Sequence, residues 1–130
     1  MCIRDRFWHG QGEPQVAFIK IDTQGYEWHV LRGMADMLRG NPDVVILIEI
    51  WPEGLKRQNE SAVKLIQFFR DHGFTGYEIS DHRVMPVAEP WTYNCLFGSR
   101  SVDCLFSRNA NCLHAALSLF MGRAFPPAES

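Results

Sequence analysis

The sequence predicts an α/β domain whose sheet is mostly parallel, with one antiparallel strand. Two observations indicate this fold class. Short apolar, β-branched runs alternate with segments of helical periodicity, and the last two runs follow each other without a helix between them. The 130 residues are 46% hydrophobic and 22% charged, which suits one globular domain and excludes a disordered or fibrous chain.

The first predicted strand and helix lie in residues 16–38. Residues 16–21 (VAFIKI) form an apolar run typical of a strand, which ends at Asp22. A short Thr-Gln-Gly connection follows. Apolar residues then recur at the spacing of one helix face: Val30, Leu31, Met34 and Leu38.

Three further strands and a helix are predicted between residues 44 and 97. Residues 44–50 (VVILIEI) are apolar on both faces, which is typical of a strand buried between two helical layers. A helix over residues 61–72 leads to a third strand at 74–79 and a fourth at 93–97 (YNCLF). The resulting order is β-α-β-α-β-β, so about four strands are expected.

The two ends of the chain have a different character. Residues 1–15 lack any period and are interpreted as a non-native or linker-like segment. Residues 16–100 form the predicted domain. Residues 101–130 carry few charges and are interpreted as a C-terminal tail with a helix over 112–120.

Composition excludes several classes of protein. The net charge of -2 gives no reason to expect nucleic acid as a partner, and no apolar stretch approaches the roughly 20 residues that span a bilayer. The four cysteines are not spaced as a zinc or redox motif: Cys2, Cys95, Cys104 and Cys112. We therefore expect reduced thiols, no metal site, no membrane partner and a cytoplasmic location.

Acidic residues lie where a parallel sheet binds its ligands, at the carboxyl ends of strands. Asp22 ends the first predicted strand, Glu49 lies near the end of the second, and Glu27 follows in the first helical turn. Such carboxylates can accept protons, bind a metal or hold a hydroxyl-bearing substrate. Gly25 would let a ligand approach the backbone of the connecting turn.

Each of these residues also has a purely structural interpretation. Asp22 could cap the following helix, and Glu27 could interact with the helix dipole. Glu49 lies inside an apolar strand, where an acid needs a partner, and Lys20 or His29 could provide one.

The run FIKIDTQGYEWHVLRGM (residues 18–34), followed by VVILIEI, resembles the FkbM-type methyltransferases. The family pattern is an apolar strand, Lys-x-Asp-x-Glu-Gly-x-Glu, and a helix with Val-Leu-x-Gly. The matching residues are Lys20, Asp22, Gly25, Glu27, Val30, Leu31 and Gly33, with Glu49 in the second strand and Gln24 in place of a common Glu. The resemblance covers roughly residues 16–98.

The resemblance implies a Rossmann-like sheet and S-adenosylmethionine as methyl donor. It implies that this chain holds the C-terminal part of that sheet, strands four to seven of seven. Neither a first strand nor its Gly-rich cofactor loop is found before Val16, since the Gly10-x-Gly12 pair has no strand before it. The chain is therefore expected to be a partial enzyme that is inactive alone.

The implied reaction is O-methylation of a hydroxyl on a sugar or small metabolite. The resemblance and the strand-end positions assign Asp22, Glu27 and Glu49 as catalytic residues, and Asp22 and Gly25 as cofactor contacts. A non-enzymatic remnant or interaction domain is the alternative. A carboxylate-metal nuclease, with Asp43 after Pro42 and Glu49 as its acids, is less favoured, because Trp51 stands where its Lys would be needed. Residues 16–21, unpaired by a preceding strand, are expected to form an open sheet edge that promotes self-association.

Overall fold

The computed structural model describes residues 3–80, 83–95 and 100–122. The strands in this part of the chain are β1 (Phe18–Ile21), β2 (Val45–Ile50), β3 (Thr75–Ile79), β4 (Val84–Pro86) and β5 (Val102–Ser107). They form one sheet in the order β1-β2-β5-β3-β4. The α/β class is confirmed, with five strands in place of the expected four.

The expectation of a mostly parallel sheet is wrong. β1 and β2 pair in parallel, whereas β2–β5, β5–β3 and β3–β4 are antiparallel pairs. β1, β2 and β3 still run in one direction, but β5 lies between β2 and β3 and runs against both. Their carboxyl ends therefore meet at one edge of the sheet, as the sequence predicted.

The predicted strand at residues 93–97 is also wrong. Pro90–Cys95 form a 3₁₀ helix, and residues 96–97 lie outside the described part of the chain. The side chain of Tyr93 is buried, and its hydroxyl oxygen accepts a 2.9 Å hydrogen bond from the backbone N–H of Ala88. This contact holds the segment close to the preceding loop, away from an extended conformation.

β5 lies in the segment that was interpreted as a tail. Cys104, Leu105 and Phe106 are buried in the middle of the sheet. The helix predicted in this segment is confirmed as α6, and its bounds are given with those of the other helices below. The residues after 100 thus supply a central strand as well as a helix.

The first residues form a helix, α1 (Ile3–Gly10), where no regular structure was expected. The buried Asp5 carboxylate accepts hydrogen bonds from the backbone N–H groups of Asp36 (3.0 Å) and Met37 (3.1 Å). Trp8 is buried, and its ring lies against the Cα of Gly40. These contacts attach the segment to the domain, although nothing in its apolar spacing revealed them.

The remaining helices are α2 (Glu27–Arg32), α3 (Ala35–Gly40), α4 (Pro52–Arg57), α5 (Ala62–Asp71) and α6 (Ala110–Met121). The apolar stripe that predicted one helix after β1 is divided between α2 and α3, with a break at residues 33–34. Side chains cap the two long helices. Ser61 accepts from the N–H of Lys64 at the start of α5, and Asn109 from that of Cys112 at the start of α6.

Helices lie on both faces of the sheet. On one face, which we call the core face, residues of α2, α3, α4 and α5 bury Ile46, Ile48 and Ile50 of β2. On the opposite face, which we call the cleft face, α6 packs Leu113 and Leu117 against Val45 and Leu105. The cleft face carries the smaller of the two clusters of buried apolar residues.

Within the described residues, no helix is long and apolar enough to cross a membrane. Cys104 is buried and Cys112 is half-buried, and both are free thiols. Burial raises the pKa of the Cys104 thiol well above its usual value, so this side chain is an unreactive thiol in the core.

Candidate functional site

A cleft of about 720 Å³ opens on the cleft face where β1, β2 and β3 end. Its lining includes three carboxylates, Asp22, Glu49 and Asp103, and the cationic side chains of Lys20 and Arg83. The end of α6 adds the half-exposed ring of Phe120. The cleft therefore combines proton acceptors, cations and an apolar surface.

Strand alternation places the polar side chains in this cleft. Successive residues of a strand point to opposite faces, so Lys20 shares its face with Leu47, the residue that it pairs with on β2. Two residues further along β2, Glu49 is directly opposite Asp103 on β5. The same pattern that buries Ile48 on the core face thus turns Glu49 toward the cleft.

The carboxylates interact electrostatically. Burial raises the pKa of Glu49, and the nearby charges of Asp22, Asp103 and Glu27 raise it further. Burial and Asp22 also raise the pKa of Asp103, while the positive charge of Lys20 opposes that rise. Glu49 and Asp103 therefore hold protons more readily than isolated carboxyl groups do.

Gln24 joins two of these carboxylates. Its side-chain Nε2 donates to Asp22 Oδ1 at 3.2 Å and to Glu49 Oε1 at 3.5 Å. Gln24 lies in the tight turn after β1, with a left-handed φ of 54°. The turn thus brings a neutral donor between two acids from neighbouring strands.

Asp22 does not cap the following helix. α2 begins after Tyr26, and no side chain caps its first turn. Asp22 is exposed and lines the cleft, where it accepts from Gln24. The structural interpretation of Asp22 as a helix cap is therefore not supported, and its carboxylate is accessible to a ligand.

Glu27 occupies a different environment from the other acids. It is completely buried, and its carboxylate oxygens accept from the backbone N–H groups of Thr23 (3.3 Å) and Gly25 (3.0 Å). These bonds stabilise the turn between β1 and α2. Glu27 holds the backbone that carries Asp22 and Gln24, and it is not among the residues that line the cleft.

Gly25 is buried, and the space beside its Cα is filled by the protein. Its φ of 106° is in the left-handed region, and a Cβ at this position would lie 2.5 Å from the carbonyl oxygen of Gly54 in α4. The sequence analysis assigned the close approach at Gly25 to a ligand. In the structure, the group that approaches is the backbone of α4.

Asp103 and Arg83 line the cleft but were not predicted from the sequence. Asp103 lies in the run VDCLFS of β5, where apolar side chains fill the core and an acid at the strand start faces the cleft. That run has the signal of a strand, but it was assigned to a tail. Arg83 lies in the connection between β3 and β4, where sequence periodicity carries no information.

The nuclease interpretation has no geometric support. Its two acids, Asp43 and Glu49, lie near opposite ends of β2, six residues or about 20 Å apart. Asp43 accepts a hydrogen bond from the side-chain amide of Asn109 at 3.0 Å. In the part of the chain that the structure describes, no three His, Cys, Asp or Glu side chains are grouped to hold a metal ion.

The fold and the cleft define a class: an α/β domain with acidic side chains at the carboxyl ends of its strands. The family model described as Methyltransferase FkbM domain matches residues 2–75, which is more than half of the chain. The chain therefore belongs to the FkbM methyltransferase family. Comparisons with curated proteins and with solved structures gave no match.

The matched region and the cleft overlap in part. Residues 2–75 include α1, β1 and β2, and so contain Lys20, Asp22 and Glu49. The other wall of the cleft, with Arg83 and Asp103, comes from residues beyond the match. The family region thus supplies one wall, and the later strands supply the other.

Proposed function

We propose that the cleft takes part in methyl transfer from S-adenosylmethionine to a hydroxyl group of a sugar or small metabolite. One observation carries this proposal: Asp22 and Glu49 lie in the same cleft at strand ends, and the Gln24 amide joins them. The family, a methyltransferase family, supports the reaction class.

The side chains of the cleft fit a cationic methyl donor. Three carboxylates face two basic side chains, so acidic groups predominate around the space. When bound, S-adenosylmethionine supplies an electrophilic methyl group next to a positively charged sulfur. The carboxylates of Asp22 and Glu49 would hold it by charge and by hydrogen bonds to its polar groups.

Asp22 is the proposed proton acceptor. Its carboxylate is exposed to the cleft and keeps a free oxygen, Oδ2, when Oδ1 accepts from Gln24. When the acceptor oxygen takes the methyl group and the bond between that carbon and the donor sulfur breaks, leaving a neutral thioether, Asp22 would accept the proton that the hydroxyl loses. Asp22 also orients the hydroxyl before transfer by accepting its hydrogen bond.

The rest of the cleft suits an acceptor with several hydroxyl groups. Glu49 and Asp103 lie opposite each other, and because their pKa values are raised, each keeps a proton and donates a hydrogen bond more readily than an isolated carboxyl group does. Phe120 offers an apolar ring at the rim, against which the face of a sugar can pack.

Free thiols at Cys104 and Cys112 support a reducing compartment such as the cytoplasm.

A methyl-transfer assay tests the proposal. The protein is produced from the complete reading frame in its source DNA, including any in-frame upstream codons, and is incubated with methyl-labelled S-adenosylmethionine. Sugars and small alcohols are compared with amines and carboxylic acids as acceptors. We expect label in an ether product of a hydroxyl acceptor. Label in amines alone, or in none of the acceptors, contradicts the proposal.

A matched pair of variants assigns the activity to the cleft. Asp22→Asn removes the proposed proton acceptor, whereas Asp71→Asn changes an exposed aspartate of α5 that accepts from Gln67. Activity should fall in the first variant and stay at the wild-type level in the second. Equal activity in both variants would contradict the role of Asp22.

A further inference from the structure

The side chain of Gln24 has an unusual place in the cleft. It is the donor to Asp22 Oδ1 and to Glu49 Oε1, two acids that different strands contribute. Its backbone adopts a left-handed φ of 54°, a conformation that side-chain-bearing residues seldom take. The turn therefore keeps glutamine at a position where backbone conformation alone would favour glycine or asparagine.

We propose that Gln24 is a positioning residue, whose amide holds the Asp22 and Glu49 carboxylates in one fixed arrangement for the acceptor. This inference rests on the proposed function for the roles of the two acids. The arrangement itself depends on the hydrogen bonds, and it can be tested without any methyl transfer.

The chemistry of the amide explains why it suits this place. An NH₂ group has two donor hydrogens and no charge, so it can bind two carboxylates at once without attracting a counter-ion. The family pattern often has Glu at this position, and a carboxylate there would add a negative charge beside Asp22 and Glu49 and could not donate to them. The amide thus keeps both acids close together while it leaves their remaining oxygens free.

Several charged groups act on Glu49 from the elements around it. Negative charges come from Asp22 at the end of β1, Asp103 on β5 and Glu27 on α2. Lys20 on β1 and Arg83 between β3 and β4 line the same cleft, and Lys20 opposes the rise in the pKa of Asp103. A change of charge at residue 24 would add to these charges, and the pKa of Glu49 would shift in response.

The test is a titration of the Glu49 side-chain carboxyl group by NMR, in the full chain and its variants. Gln24→Glu replaces the donor by a charge, and Gln24→Gly removes the side chain while suiting the left-handed backbone. Gln67→Glu is the matched control, because Gln67 also donates to a carboxylate (Asp71 Oδ1, 2.8 Å) but lies on α5.

We expect Gln24→Glu to raise the pKa of Glu49 by about 0.5–1 pH unit, the effect of one added charge a few ångström away in a solvated cleft. Gln24→Gly should raise it by a smaller amount, because a donor is lost without an added charge. Gln67→Glu should leave it unchanged. If Gln24→Glu does not fold, the proposal is tested by whether the pKa of Glu49 shifts more in Gln24→Gly than in Gln67→Glu.

The proposal is overturned if the pKa of Glu49 shifts no more in the Gln24 variants than in Gln67→Glu. In the methyl-transfer assay, Gln24→Gly should lower kcat several-fold with little change in KM, since the acids remain but lose their orientation. A titration shift in a protein that transfers no methyl group would reject the proposed function and leave the positioning role intact.

Discussion

The two faces of the sheet carry different kinds of side chain. On the core face, Ile46, Ile48 and Ile50 have no exposed surface and pack under four helices. On the cleft face, the same strand presents the half-buried residues Leu47 and Glu49. Since side chains alternate along β2, one run of seven residues provides both a core and a site. We therefore expect that substitutions on the core face change stability and substitutions on the cleft face change chemistry, each without the other.

The largest effect is expected from a cavity on the core face. Phe69 of α5 is fully buried and stacks on Phe106 with ring centroids 4.0 Å apart. Phe69→Ala should lower the free energy of unfolding by about 3–5 kcal/mol, measured by denaturant titration. Phe120→Ala is the control on the cleft face, where the ring is 51% exposed. A similar loss in both variants would contradict the division between the faces.

The next effect is on the chemistry of the cleft. In the protein produced from the complete reading frame, Asp22→Asn should lower turnover on the order of 100-fold or more, because the proton acceptor is lost. The free energy of unfolding should stay within about 0.5 kcal/mol of the wild type, since Asp22 is exposed and Asn can still accept from Gln24. Turnover is measured by methyl transfer and stability by denaturant titration. A parallel loss of both would make Asp22 a structural residue.

Glu27 should show the opposite behaviour. Glu27→Gln replaces an oxygen that accepts from backbone N–H groups by an NH₂ group, which cannot accept. The free energy of unfolding should fall by about 1–3 kcal/mol, with turnover per folded molecule nearly unchanged. Glu53→Gln, in an exposed pair with Arg57, is the control and should be nearly neutral. If Glu27→Gln lowers turnover without loss of stability, Glu27 belongs to the catalytic machinery.

Much of the fold could be predicted from periodicity. β2 was expected at 44–50 and is found at Val45–Ile50, and a helix was expected over 61–72, where α5 spans Ala62–Asp71. These elements are long or strongly patterned, so local sequence determines them. β5 was missed because its strand signal is short and follows a segment, residues 93–97, with a similar apolar pattern. Which of two apolar runs enters a sheet depends on tertiary packing, and pattern alone does not contain that information.

The candidate site could be predicted in part for a related reason. Asp22 and Glu49 were predicted from their strand-end positions, and the structure places both in one cleft; their catalytic roles stay predictions. Glu27 and Gly25 were also predicted as site residues. In the structure, the Glu27 carboxylate accepts from the backbone of the turn and the backbone of α4 lies beside Gly25, contacts that only three-dimensional distances reveal. Asp103 could be placed in the cleft only if the position of β5 was predicted correctly. Because β5 was missed, Asp103 was missed as well.

The edge of the sheet at β1 leads to a prediction about self-association of the chain. β1 pairs with β2 alone among the described strands, and Phe18 is 46% exposed on it. An unpaired strand beside apolar surface promotes pairing with a second chain. Phe18→Lys should weaken self-association about tenfold, as expected from partial burial of one aromatic ring. The dissociation constant is measured by sedimentation equilibrium.

A matched substitution on another surface controls for charge and solubility. Phe7→Lys changes a ring that is 67% exposed on α1 instead of β1, and should not alter the dissociation constant. A wild-type chain that stays monomeric at high concentration, or an equal effect of both variants, would show that β1 is not the contact.

The smallest effect concerns the pH dependence of stability. The pKa of Glu49 is raised in the folded protein, so the folded state binds its proton more tightly than the unfolded state does. The contribution of Glu49 to stability is therefore most favourable at low pH and is lost as the pH rises through its folded pKa. Near neutral pH its charge is destabilising, because burial and neighbouring acids oppose it.

Glu49→Gln should then raise the melting temperature near pH 7 and change it less at acidic pH, where a larger fraction of Glu49 is protonated. The gain should be smaller than the loss in Glu27→Gln, since Glu49 is partly solvated. Asp103 retains its own raised pKa, so some of the pH dependence must persist in the variant. Glu53→Gln provides the control for loss of an exposed charge. An equal change at both pH values would show that the charge of Glu49 does not affect stability. A loss at pH 7 would instead indicate a stabilising cation beside Glu49. The cleft face would then contribute to stability as the core face does.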